Sequence, residues 1–140
     1  MSQGVDFALD PRLVADTGLV CDLPLCRVLL MDEARWPWLI LVPRRPGLRE
    51  VFDLPRHERV QLGDELEQAA RTLKSLFVPD KLNVAALGNQ VEQLHVHVLG
   101  RYRDDPAWPS PVWGHSPRQP YAESDRQSRI ECLMKEMSGA

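Results

Sequence analysis

Two histidines, His95 and His97, stand one residue apart in the run Gln93-Leu94-His95-Val96-His97-Val98-Leu99-Gly100. An imidazole can be a nucleophile, an acid–base group, a phosphate donor or a metal ligand. The run alternates polar and apolar residues, which is the period of a strand. On a strand over 93–99, Leu94, Val96 and Val98 share one face. Gln93, His95 and His97 share the other, about 6–7 Å apart in successive pairs. The apolar face suits a packed helix, whereas a polar row on an open face has no packing purpose. A phosphorus centre fits such a row. A neutral imidazole nitrogen can attack it, the phosphoryl-histidine can then be hydrolysed, and neighbouring donors hold the phosphate oxygens. Gln93 offers both a donor and an acceptor. Alternation alone leaves two other readings open. One is a pair of histidines with no chemical role. The other is a metal site, whose third ligand would have to come from His57, His115, a cysteine or an acid, none at a tell-tale spacing.

The elements that must position this strand are readable upstream of it. Asp10-Pro11 is a helix start, Asp as N-cap and Pro at the first helical position, with Gly18 as its end. Arg27–Met31 and Trp38–Val42 are apolar strands joined through Asp32–Trp36, an antiparallel hairpin. Pro43–Gly47 breaks the sheet, and Asp53-Leu54-Pro55 starts the next helix. Leu62, Leu66, Ala70, Leu73 and Phe77 then form one apolar stripe on a helix of about 22 residues, with charged residues on its other face. Val78-Pro79-Asp80 stops it. Leu82–Leu87 is a third strand, and Gly88-Asn89-Gln90 connects it to the strand with the histidines. Between Asp104 and Tyr121 five prolines and two tryptophans make an irregular arm. Its Trp113 either walls a pocket or packs on a second copy. From Tyr121 onward Ile130, Leu133, Met134 and Met137 keep helical spacing. The pattern predicts an α+β fold, an antiparallel sheet with a long helix on one face.

Composition bounds the function. The chain has 140 residues, 17 basic against 20 acidic, for a net charge of −3. Length predicts a single domain over 1–140. The charge argues against a polynucleotide partner, which favours a basic excess, but leaves room for a small nucleotide in a local pocket. Cys21, Cys26 and Cys132 form no CxxC pair, so neither a disulfide framework nor a zinc knuckle is expected. Met1–Leu9 lacks the basic start and apolar run of a signal peptide. The longest apolar stretch, Trp36–Val42, holds seven residues, far short of a membrane span. The expected setting is the cytoplasm, with no membrane partner.

Gln93-Leu94-His95-Val96-His97-Val98-Leu99 resembles the signature of the histidine triad (HIT) family, His-φ-His-φ-His-φ-φ with φ apolar, at six of seven positions; Gln93 replaces the first histidine. The order of elements agrees over about 27–101. The arm, with Asp105-Pro106-Ala107-Trp108-Pro109 and Pro111-Val112-Trp113-Gly114, resembles a bacterial branch in which Gln often holds the first position. The arm occupies 104–120 and the C-terminal helix 121–137. The resemblance implies an antiparallel meander, a homodimer, and a nucleotide phosphohydrolase or nucleotidyl transferase acting at the α-phosphorus. It implies that His95 is the nucleophile and forms a nucleotidyl-histidine. His97 then helps hold the phosphate, and Gln93 orients the site or handles the leaving group. It further implies that Asp32 contacts the ribose, that Asn89 and Gln90 contact the phosphate or leaving group, and that no metal or other cofactor is needed. An amide cannot act as a general acid, so Gln93 also raises the alternative of a catalytically weak nucleotide-binding or regulatory module.

Overall fold

The computed structural model describes residues 7–138. A short helix α1 (Pro11–Asp16) leads directly into strand β1 (Thr17–Asp22), followed by β2 (Cys26–Met31) and β3 (Trp38–Pro43). A 3-10 turn at Val51–Asp53 precedes the long helix α2 (Arg56–Phe77); β4 (Lys81–Ala85), β5 (Val96–Arg101) and helix α3 (Glu123–Ser138) complete the order. The sheet is antiparallel throughout, in the order β1-β2-β3-β5-β4. The first three strands run as a meander and β5 enters between β3 and β4. The α+β fold with a long helix on one face is therefore as the sequence pattern predicts.

β1 is not among the strands that the sequence pattern predicts. Gly18 does not end a helix; it lies within β1, opposite Leu30. A Cβ placed there would come 2.7 Å from Ile130 Cδ1, so the glycine is what lets α3 approach the sheet.

Helix α2 spans the 22 residues expected, with Pro55 before its first turn. Its most buried line runs through Leu62, Glu65, Ala69, Thr72 and Leu73, while Leu66, Ala70 and Phe77 sit at the margin. Contrary to the expected charged outer face, Glu65 points inward. Both its carboxylate oxygens accept backbone N–H groups at the start of β2, from Leu25 and Cys26, each at 2.8 Å. A buried carboxylate is tolerable only when so satisfied. The helix ends on Val78 in the left-handed region, φ 48° and ψ 53°, just before Pro79.

Two apolar layers enclose the sheet. On the helix side Val28, Leu30, Leu39, Leu41, Val96 and Val98 meet Leu62, Ala69 and Leu73 of α2 and Leu133 of α3. On the far side Leu29, Trp38, Ile40, Val42 and Leu99 meet Leu13 of α1 and Ala107 and Val112 of the arm. The far face is thus covered, not open, and every residue of β3 and β5 is buried. The arm is anchored by Arg101 and Asp105, which pair at 2.8 Å with side chains only 2% and 4% exposed. Asp105 also accepts the N–H groups of Tyr102, Ala107 and Trp108. Further along, Ala34 N donates to Gln119 O and Gln119 N to Glu33, so the arm is strapped to the β2–β3 turn.

Candidate active site

β5 begins at Val96, so His97 lies within the strand, and His95 and Gln93 lie just before it. The expected strand over 93–99 is shorter at its start because the segment 91–95 follows other partners: Leu94 N donates to Leu48 O. The alternation still holds for the histidines. Leu94, Val96 and Val98 face α2, while His95 and His97 face the other way, their ring centroids 5.0 Å apart. Both are buried, 6% and 7% exposed.

The two rings are fixed by different partners. His95 Nδ1 lies 2.7 Å from the backbone oxygen of Gln93. A carbonyl oxygen only accepts, so Nδ1 carries the hydrogen and Nε2 is left with its lone pair in the neutral ring. For His97 the arrangement is reversed. Trp38 stands diagonally across from it on β3, and its indole Nε1 donates to His97 Nδ1 at 3.0 Å. An indole N–H only donates, so Nδ1 must be the acceptor and the neutral ring carries its hydrogen on Nε2. Burial, and secondarily the neighbouring His95, pushes the His97 pKa from an ordinary 6.5 down to about 4. Trp113 of the arm completes the aromatic cluster, edge-on to His97 at 5.3 Å and to Trp38 at 5.9 Å.

A cavity of about 320 Å³ opens beside the histidines. His95, His97, Asn89 and Gln90 line its polar side; Leu13, Met31, Ile40 and Trp113 give it apolar walls. A cavity with apolar walls that also presents imidazoles and side-chain amides suits a ligand with an aromatic or sugar part and a charged phosphate. Trp113 therefore walls the pocket in this chain. Its Nε1 is buried and has no hydrogen-bond partner among the described residues.

The structure brings together four of the six residues singled out from the sequence. The other two lie elsewhere. The amide of Gln93 binds the backbone of the N-terminal segment, accepting from Asp10 N and donating to Ala8 O, each at 2.8 Å. Asp32 accepts from Tyr121 N at 3.0 Å and is not among the pocket's lining residues. The acid that does line it is Asp16, at the end of α1, paired with Arg118 at 3.2 Å. Nothing in the local sequence separates Asp16 from an ordinary helix-end carboxylate. His115 packs edge-on to Trp36 at 6.5 Å and does not line the pocket. Arg45 and Arg49 pair with Glu58 and Glu92 and do not line the pocket. Among the described residues no group of three His, Cys, Asp or Glu side chains converges to hold a metal ion. No described helix is long and apolar enough to cross a membrane.

Comparison with known proteins agrees with the fold described above. The HIT domain family matches residues 12–104. Three solved bacterial structures resemble the whole chain. A histidine triad protein from Marinobacter aquaeolei is 46% identical, with a TM-score of 0.92 over 95% of this chain and 97% of its own. One from Bradyrhizobium japonicum is 44% identical, with a TM-score of 0.90 over 94% and 98%. One from Sinorhizobium meliloti is 41% identical, with a TM-score of 0.92 over 96% and 99%. No curated protein matches the chain.

Proposed function

The chain belongs to the HIT family, and we propose that it is a nucleotide phosphohydrolase or nucleotidyl transferase working at the α-phosphorus through His95. Proteins of this family are in general nucleotide-binding hydrolases or transferases. The observation that carries the finer reading is the bond from His95 Nδ1 to the Gln93 carbonyl. It leaves Nε2 as the one ring nitrogen free to attack, in a pocket that also presents Asn89 and Gln90. Attack of Nε2 on phosphorus makes Nδ1–H more acidic and its bond to the carbonyl stronger, which stabilises the charge that develops on the ring. The Nε2–H of His97, together with the amides of Asn89 and Gln90, supplies donors for phosphate oxygens. Asp16 and the apolar walls are placed to take the nucleoside, Asp16 through the ribose hydroxyls. Gln93 contributes through its carbonyl and through its hold on the N-terminal segment.

The same reading includes a cytoplasmic homodimer. Its support is that all three cysteines are free thiols and that β4 is an edge strand with Val84 and Leu87 exposed beside it.

The test is turnover of adenosine phosphoramidate, diadenosine polyphosphates and nucleotidyl-amino acids by wild type and His95→Ala, with mass spectrometry of the acid- or base-quenched protein. The expected result is turnover of at least one substrate and a nucleotidyl adduct on His95, both absent in the variant. A specific observation favours one other reading: the Gln93 amide is occupied outside the pocket, as in a module that binds nucleotide without turning it over. Binding of a nucleoside monophosphate with no turnover and no adduct would establish that alternative.

A further inference from the structure

A nucleotidyl group leaves its first partner only if the departing atom can carry the electron pair it receives. That requirement falls on whatever proton donors face the reacting phosphorus. The titratable side chains that line the pocket beside the histidines are Asp16, His95 and His97. Asp16 is a carboxylate paired with Arg118, an acceptor. His95 spends its one hydrogen on the Gln93 carbonyl. His97 meets Trp38 and Ile40 from β3, Ala85 from β4, Trp113 from the arm and His95 from its own segment. No carboxylate among these would stabilise a charged ring. To act as an acid, His97 must first hold hydrogens on both nitrogens. Its Nδ1 faces an indole N–H that cannot accept one. A smaller cavity of about 40 Å³ behind His95 adds Arg49 and Glu50, both exposed. Neither of them lines the pocket that holds His97.

We propose that the Trp38–His97 hydrogen bond leaves this site with no proton to give, and so restricts it to nucleotides whose leaving group departs as a stable anion. Phosphoanhydrides and esters of acidic hydroxyls fit; nucleoside phosphoramidates, whose amine must be protonated to depart, do not. This deepens the α-phosphorus reading above and rests on it. In the first step a bond forms between His95 Nε2 and phosphorus. The phosphorus–oxygen bond to the leaving group breaks, and its electron pair leaves on that oxygen with no proton from the protein. In the second step water attacks the same phosphorus, the pair of the nitrogen–phosphorus bond returns to Nε2, and the water's proton leaves to solvent with the nucleoside monophosphate. Trp38 is a positioning residue in this scheme: it acts through His97 and need not touch the substrate.

The test is a series of aryl esters of adenosine monophosphate, from 4-nitrophenyl to unsubstituted phenyl, assayed as kcat/KM beside adenosine phosphoramidate. For wild type kcat/KM falls about 100-fold or more across the series, the steep dependence of uncatalysed departure, and the phosphoramidate is turned over more slowly than the nitrophenyl ester. Trp38→Phe removes the indole N–H and frees Nδ1, while burial still disfavours the charged ring. An activity limb from protonated His97 then enters at acid pH, and the series flattens there. In wild type, nitrogen-15 spectra of the ring show His97 as the neutral Nε2–H form from about pH 5 to 8, a readout that holds even where the variant does not fold. Turnover with a flat wild-type series, a slope unchanged at acid pH in a folded Trp38→Phe, or a protonated His97 in that range overturns the inference alone. No turnover of even the nitrophenyl ester and no adduct on His95 overturns the proposed function, and the inference with it.

Discussion

The imidazole Nδ1 of His95 sits 2.7 Å from the main-chain oxygen of Gln93, while the amide of Gln93 reaches the other way, to Ala8 and Asp10. One residue thus orients a histidine with its backbone and fastens the start of the chain with its side chain. Gln93→Ala deletes only the second function. Chemical denaturation should show a loss of about 1–2 kcal/mol for the two hydrogen bonds. Its effect on kcat/KM should stay orders of magnitude smaller than that of His95→Ala, which removes the nitrogen we propose as the nucleophile. Equal losses in the two variants would place the Gln93 amide in the chemistry.

His97 gives stability a pH dependence of definite sign. Its folded pKa of about 4 lies below the unfolded value near 6.5. Between those values the unfolded chain takes up a proton that the native protein refuses. Stability therefore falls as pH drops through that window, by about 1.4 kcal/mol per unit at full effect, and is insensitive to this group above it. Urea titrations of wild type and His97→Asn between about pH 4.5 and 7 isolate the term. The variant should lose less stability on acidification. A parallel pair of curves would contradict the burial and partnering described for His97.

Arg101 and Asp105 are a buried ion pair. Desolvation works against the Asp105 carboxylate, yet the Arg101 guanidinium and the N–H groups of Tyr102 and Ala107 outweigh it and hold the carboxyl well below the usual range. Removing either partner strands the other charge in the core. Asp105→Ala or Arg101→Ala should each cost about 3–5 kcal/mol, whereas an apolar double replacement should cost less than the sum. Because the pair anchors the arm bearing Trp113, the single variants should also weaken nucleotide binding, measured by calorimetry at a temperature where they remain folded.

Val78 holds a left-handed backbone with a β-branched side chain that is 70% exposed. Little packing is lost by removing it. Val78→Gly should raise stability by about 0.5–1 kcal/mol, the relief of the steric clash less the added freedom of the unfolded glycine. A lowered melting temperature would mean that the exposed valine contributes contacts outweighing the strain.

Helix α2 was legible because its apolar residues repeat at the helical period and a proline stands at each end. The histidine pair was legible because alternation on a strand is local. What escaped depends on residues far apart in sequence. Trp38 and His97 are 59 positions apart, and Trp38 reads as one more apolar residue of β3. Glu65 reads as surface charge until the β1–β2 turn presents it with two N–H groups. Gly18 reads as a helix stop until Ile130 of α3 comes against it. Asp32 sits at the turn expected of a ribose contact, but the arm takes its carboxylate through Tyr121 N. Asp16, which lines the pocket instead, owes its place to the direct passage from α1 into β1.

The pocket's walls run from Leu13 to Gly114, and this sets an order of events during synthesis. A nascent chain emerging from the ribosome displays both histidines before it has the arm that completes the cavity. Until residue 114 clears the exit tunnel, such a chain has both histidines and no complete cavity beside them. The walled cavity thus arises only after residue 114 has emerged, when the arm closes over the far face of the sheet.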